Sequence, residues 1–245
     1  MPISPNFTSI LFQEFEINFL QCYPNGYLKY TDLCNILQLT AATHSQTGGI
    51  SFLDMQEFHQ AWVLSRMRVE INRLPKWQDK ILVKTWINSL ENSRSTRCLE
   101  LYLDDEKLIG CETFWVTMNT NSRRPEALAL PHEHFEKFTK RATQESFSKI
   151  NLQQDFEEIG KQKVLLSDLD IVNHANSVKY IEWCLNFVDA ETILQQKIES
   201  FEMNYLKELS LNETYEIHQK INSDELIYKI ISKEKSNFAL QIKLK

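Results

Sequence analysis

Between Ser167 and Asn186 the chain reads SDLDIVNHANSVKYIEWCLN. Asp168, Asp170, Asn173, His174 and Asn176 fall within nine residues there, and a strongly apolar run follows. That run is too apolar for a surface helix, so titratable groups are expected at the mouth of a buried one. Such a site places side-chain acids and bases beside aligned backbone N–H donors. This is the equipment of acid–base chemistry with charge stabilisation.

Other chemistries lack their signatures. The five glycines, at 26, 48, 49, 110 and 160, cannot build GxGxxG, GxxxxGK[ST] or GxSxG. That removes the sequence support for dinucleotide binding, a P-loop or a serine-hydrolase elbow. His132 and His134 form HxH with no cysteine or third ligand nearby, so no metal is expected. The net charge of −6 argues against a general nucleic-acid binder. Cysteines 22, 34, 98, 111 and 184 are scattered without CxxC and are expected to be reduced thiols. The opening MPISPNFTSI lacks the basic and apolar regions of a signal peptide. No apolar run approaches the ~20 residues of a membrane span. A cytoplasmic setting is the expectation.

The elements that must position the polar cluster occur twice. Met67 to Ile87, MRVEINRLPKWQDKILVKTWI, aligns without gaps with Phe201 to Ile221, FEMNYLKELSLNETYEIHQKI. Each reads as strand, polar turn, strand, and the acidic turn residues Asp79 and Glu213 coincide. An apolar helical segment precedes each, Thr31 to His44 and Asn176 to Gln196. Further strands follow at Arg97 to Leu103 and Leu108 to Met118, then at Leu226 to Ser232 and Phe238 to Leu244. Val63, Met67, Val69 and Ile71 alternate with Leu64, Arg66, Arg68 and Glu70, the two-residue period of an antiparallel sheet with one wet face. The second helix is apolar around most of its circumference and should be wrapped by sheet. The fold expected is α+β, a long curved antiparallel sheet around a central helix, made twice. The boundaries expected are 1–135 for the first copy, 136–155 for a charged, helix-prone connecting segment, and 156–245 for the second copy.

SDLDIVNHANSVKYIEW resembles the second-half signature of the acyl-ACP thioesterases, D-x-D-x-N-x-H-x-N-N-x-x-Y. AWVLSRMRVEINRLPKWQDKILVKTW, FWVTMNTNSRRP and NYLKELSLNET resemble further stretches of that family, so the likeness runs through most of the chain. It implies a tandem double hotdog fold, with an N-terminal copy that houses the acyl chain and a catalytic C-terminal copy. The implied activity is hydrolysis of fatty acyl-acyl carrier protein, which releases the free fatty acid and ends chain elongation. The implied partner is acyl carrier protein bearing its acyl chain on 4'-phosphopantetheine, with no cofactor. Because no plastid transit peptide is seen, the match is to bacterial members, as a monomer or homodimer.

The resemblance carries Asp170, His174 and Glu208 over as catalytic positions. Glu208 aligns internally with Leu74, which is what one catalytic and one acyl-binding copy require. Where the family has its asparagine this chain has Val172, and Asn173 follows, so Asn173 is a further candidate. Backbone N–H groups at Asn176 and Val178 are expected to receive the oxyanion. Trp62 and Trp115 are expected to line the acyl chain. Arg66, Arg68, Arg73, Lys76, Arg123, Arg124, Lys137, Lys140 and Arg141 are the candidates for docking an acidic carrier protein. A hotdog thioesterase acting on acyl-CoA, and a non-catalytic acyl-binding hotdog protein, are the alternatives.

Overall fold

A computed structural model describes residues 3–245. The period-two segments become strands and the apolar segments become helices. Two compact units result. The first holds residues up to Ser65 together with Asn72–Ser146, and the second holds Arg66–Ile71 together with Phe147–Lys245.

In the first unit, chain order is β1 (Ile10–Glu16), α1 (Tyr30–Thr47), α2 (Phe52–Gln56), the start of β2 (Gln60–Ile71, of which Arg66–Ile71 belong to the second unit), β3 (Lys80–Glu91), β4 (Arg94–Leu103) and β5 (Glu106–Asn119). The strands lie in the order β1-β3-β4-β5-β2, with β1–β3, β3–β4 and β4–β5 antiparallel. Tyr30, Leu33, Cys34, Ile36, Leu37, Thr40, Ala41 and His44 are the buried residues of α1, at helical spacing. One detail of the alternation changes. Val63 is 43% exposed and Leu64 6%, whereas Met67, Val69 and Ile71 are buried, so the inward face shifts phase within β2.

The second unit contains β6 (Glu157–Lys163), α3 (Ser177–Leu185), α4 (Ala190–Leu194), β7 (Ile198–Tyr205), β8 (Thr214–Ile221), β9 (Glu225–Ser232) and β10 (Lys235–Leu244). Their order is β7-β10-β9-β8-β6, and Arg66 to Glu70 of β2 pair antiparallel with β7. Val178, Tyr180, Ile181, Trp183, Cys184 and Leu185 are all buried, so α3 is enclosed, as its composition requires. Trp183 stacks on Tyr215 with centroids 4.3 Å apart.

Two expectations are corrected. The single helix over Asn176 to Gln196 is instead two, because α3 closes at Asn186 and Asp189 caps α4 by accepting from Thr192 N at 3.0 Å. The connecting segment forms no helix. Its backbone bonds outward: Phe138 N donates to Ile87 O at 3.0 Å, Trp86 Nε1 to Lys140 O at 3.0 Å, and Lys107 Nζ to Ala142 O at 2.6 Å. Ala142 O also lies against Gly110, where a Cβ would stand 2.1 Å from it.

The duplication extends to single hydrogen bonds. Cys22 bridges Leu28 as Leu169 bridges Ala175, and Tyr27 bridges Lys76 as His174 bridges Ser210. Tyr23 N donates to Tyr27 O at 2.8 Å, and Asp170 N to His174 O at 2.8 Å. Gly26 and Asn173 hold the same left-handed turn position, at φ 80° and 65°. Lys76 N accepts the help of Asp79, donating to its Oδ2 at 2.7 Å, as Ser210 N donates to Glu213 Oε2 at 3.2 Å. These matches set Leu74 opposite Glu208, Tyr23 opposite Asp170 and Tyr27 opposite His174.

Candidate active site

The site begins with a tight turn ahead of α3. Asp168 Oδ2 accepts from Leu165 N at 2.8 Å, which closes a short 3-10 turn, and its main-chain O accepts from Asn176 N at 2.8 Å. Asp170 closes the next turn. Its Oδ1 accepts from Val172 N at 3.0 Å and from His174 N at 3.2 Å. A short acceptor that satisfies two turn donors is the reason an aspartate suits this position. Asn173 tolerates the left-handed conformation that a β-branched residue resists. His174 follows, tied by its bridge to Ser210, and Ala175 N donates to Leu209 O at 2.8 Å.

That short ladder brings Glu208 to His174. Glu208 Oε1 lies 3.6 Å from His174 Nε2, with the two side chains 38% and 28% exposed. A carboxylate and an imidazole thus share a partly open position, within reach of one water molecule. In the first unit the same place holds the fully buried Leu74.

The surroundings are polar and fixed. Tyr180 OH accepts from Leu209 N at 2.8 Å, and burial holds the Tyr180 hydroxyl above its ordinary pKa. A groove of about 820 Å³ opens beside Ser210, lined by Lys161, Leu211, Glu213, Ser232 and Lys233 among others. Burial pushes the Glu213 carboxyl up, but hydrogen bonds from Ser232, Ser210 N and Lys233 outweigh it and hold the group below the ordinary range.

The other sequence candidates fall as follows. Val172 is exposed, and Asn173 is exposed at the turn corner. Asn176 Oδ1 accepts from Val178 N at 2.9 Å and so caps α3. Asn176 N donates to Asp168 O at 2.8 Å, so of the N–H groups expected to receive an oxyanion the Asn176 and Val178 donors both have protein acceptors. Trp62 packs on the apolar cluster of Ile50, Met55 and Phe135 and donates from Nε1 to Ile50 O at 3.3 Å. Trp115 Nε1 donates to Thr113 Oγ1 at 2.8 Å. Much of the expected basic patch is neutralised locally. Arg68 pairs with Glu70 and Glu202, Arg73 with Glu106, Lys140 with Glu100, and Arg141 with Glu112. Asp168, part of the polar cluster but not among the catalytic candidates, closes the 3-10 turn that ends at it.

Metal-binding potential is slight. His132 Nδ1 meets Leu130 O at 2.8 Å and His134 Nε2 meets Gly48 O at 2.9 Å, so HxH does not converge. Glu158, Glu216 and His218 bring ligand atoms within 4.8 Å of one another, but Glu216 is ion-paired to Lys161 at 2.9 Å. All five cysteines are free, and four are buried. Among the described residues no helix is long and apolar enough to cross a membrane.

Comparison with known proteins agrees with this geometry. The family model described as acyl-ACP thioesterase N-terminal domain matches residues 9–136, and that described as acyl-ACP thioesterase C-terminal domain matches 152–244. An oleoyl-acyl carrier protein thioesterase of Coriandrum sativum is 26% identical over 238 residues, covering 86% of this chain and 64% of that protein. The chain thus spans less than two thirds of that relative's length. The crystal structure of an acyl-ACP thioesterase from Bacteroides thetaiotaomicron superposes with a TM-score of 0.89 at 22% identity, covering 97% of this chain and 98% of that one. The 12:0-ACP thioesterase of Umbellularia californica does so with a TM-score of 0.81 at 20% identity, again covering 97% and 98%. The fold is therefore a tandem double hotdog, and the chain belongs to the acyl-ACP thioesterase family.

Proposed function

We propose that this protein hydrolyses the thioester joining a fatty acyl group to the phosphopantetheine arm of acyl carrier protein. The observation that carries this reading is the His174–Glu208 pair, present in one half of the repeat where the other half buries Leu74. Glu208, with His174, holds a water molecule against the thioester carbonyl and takes its proton as the oxygen–carbon bond forms. The tetrahedral intermediate collapses with cleavage of the carbon–sulfur bond. The proton passes through His174 to the departing thiolate, leaving free fatty acid and the carrier thiol. Asp170 acts through the turn it closes, which fixes the His174 backbone. The first unit, with Leu74, Tyr23 and Tyr27 at the equivalent positions and so without a carboxylate–imidazole pair, is the one we assign to the acyl chain.

The test is release of free fatty acid from a panel of acyl-ACP chain lengths. Glu208→Gln and His174→Ala should each lower kcat/KM by at least ~10²-fold, the scale of losing a positioned acid–base group. Near-normal turnover in both folded variants would sink the assignment. A higher kcat/KM on matched acyl-CoA than on acyl-ACP would overturn the choice of carrier.

A further inference from the structure

The main chain around Glu208 is clamped from both sides. Leu206 N and Lys207 N donate to Asn237 O at 2.9 and 3.0 Å. Asn237 Nδ2 donates to Glu208 O at 3.4 Å, and its Oδ1 accepts from Ser232 N at 2.9 Å. Asn237 is 1% exposed and sits where the register of β10 against β9 shifts, between Ser236 and Phe238. Such irregularities re-aim side chains and gather near functional sites. On the other flank, Tyr180 OH accepts from Leu209 N.

The first half answers each of these groups with an apolar one. Asn72 N donates to Leu108 O at 3.0 Å as Leu206 N donates to Asn237 O, so Leu108 stands in place of Asn237. By the same correspondence Leu33 replaces Tyr180 and Pro75 replaces Leu209. Proline has no N–H, so that half needs no hydroxyl acceptor. Leu108 and Leu33 are fully buried, which shows that this fold closes here without polar side chains. A buried amide and a buried phenol are costly to keep. At these matched positions they occur in the half that carries Glu208 and not in the other, where Leu108 and Leu33 stand.

We propose that Asn237, working with Tyr180, is a positioning residue for Glu208. The inference rests on reading Glu208 as catalytic. By fixing the peptide groups before, at and after Glu208, the clamp holds the carboxylate facing the His174 imidazole. Asn237 is buried and acts on Glu208 through the main chain.

Asn237→Leu installs the residue of the first half. It should lower kcat on acyl-ACP about tenfold or more, the effect of a small misplacement of a catalytic group, and leave KM within about twofold. The NMR resonances of the His174 ring should move in the same sense as in Glu208→Gln. Asn237→Asp keeps the acceptor for Ser232 N and removes the donor to Glu208 O, so it carries the test if the leucine variant does not fold. Its activity relative to the parent should recover as falling pH protonates the aspartate and restores a donor. A kcat within twofold of the parent in either folded variant overturns the proposal. So does a loss of activity matched by loss of folded protein with the His174 resonances unmoved. A parent protein that releases no fatty acid from any acyl-ACP overturns the hydrolytic reading instead, and the ring resonances then decide the role of Asn237.

Discussion

His44, in the last turn of α1, should make this protein's stability fall with acid in a way one substitution can isolate. Its ring is fully buried. Nε2 meets Thr8 O at 2.9 Å and Nδ1 meets Arg97 Nη1 at 2.6 Å, so the partners assign a neutral ring with its proton on Nε2. Burial, then the Arg97 charge, pull its pKa from 6.5 down to about 3. Between those values the unfolded chain binds a proton that the folded chain refuses, so stability rises with pH through that window. The contribution is complete above 6.5 and is lost as pH falls. At 1.36 kcal/mol per unit, the loss relative to neutral pH is about 2 kcal/mol at pH 5 and about 3 kcal/mol at pH 4. Carboxylates titrate in the same range, so the assay is a difference. Urea unfolding free energies of the parent and of His44→Gln are measured at pH 7, 5 and 4. The glutamine variant is less stable at pH 7, but its stability should decline less, by those amounts. Parallel declines in the two proteins would refute the buried, neutral His44.

The turn yields two further tests. Asp170→Asn keeps a side-chain oxygen for Val172 N and His174 N, so kcat/KM on a single acyl-ACP should fall less than ~10-fold, whereas Asp170→Ala should fall ~10²-fold. Equal loss in both would mean that the Asp170 carboxylate reacts directly. Asn173→Gly should keep activity within about threefold, because glycine holds this conformation in the first half at Gly26, while Asn173→Val should cost about 1–2 kcal/mol in urea unfolding. A ~10²-fold loss in the glycine variant would put the Asn173 side chain in the chemistry.

Much of this protein was legible in its residues. Strands follow from alternation, and α3 is enclosed because six of its residues are apolar or aromatic and buried. The gapless alignment of the two strand–turn–strand segments already set Leu74 against Glu208, since a repeated fold keeps its spacing where turns are tight. Less was visible where polar side chains have competing partners. Asp189 broke the expected helix, Ile87 O together with the Trp86 and Lys107 side-chain donors drew residues 138–142 out of helix, and Glu100, Glu106 and Glu112 cancelled charges expected on a basic patch. Residue types cannot announce such pairings, because each depends on which strand lies beside which.

The sequence by itself determined that the chain repeats and that Glu208 falls where the first copy has Leu74, while the family resemblance singled out Asp170, His174 and Glu208. Only the tertiary structure decided that Asp170 and Asn173 build a turn, that Asn176 Oδ1 caps α3 by accepting from Val178 N, and that His174 faces Glu208 across 3.6 Å. Composition and periodicity are properties of the chain alone. A hydrogen bond between residues 29 apart, such as that from Asn237 to Glu208, exists only once the sheet has set their backbones side by side.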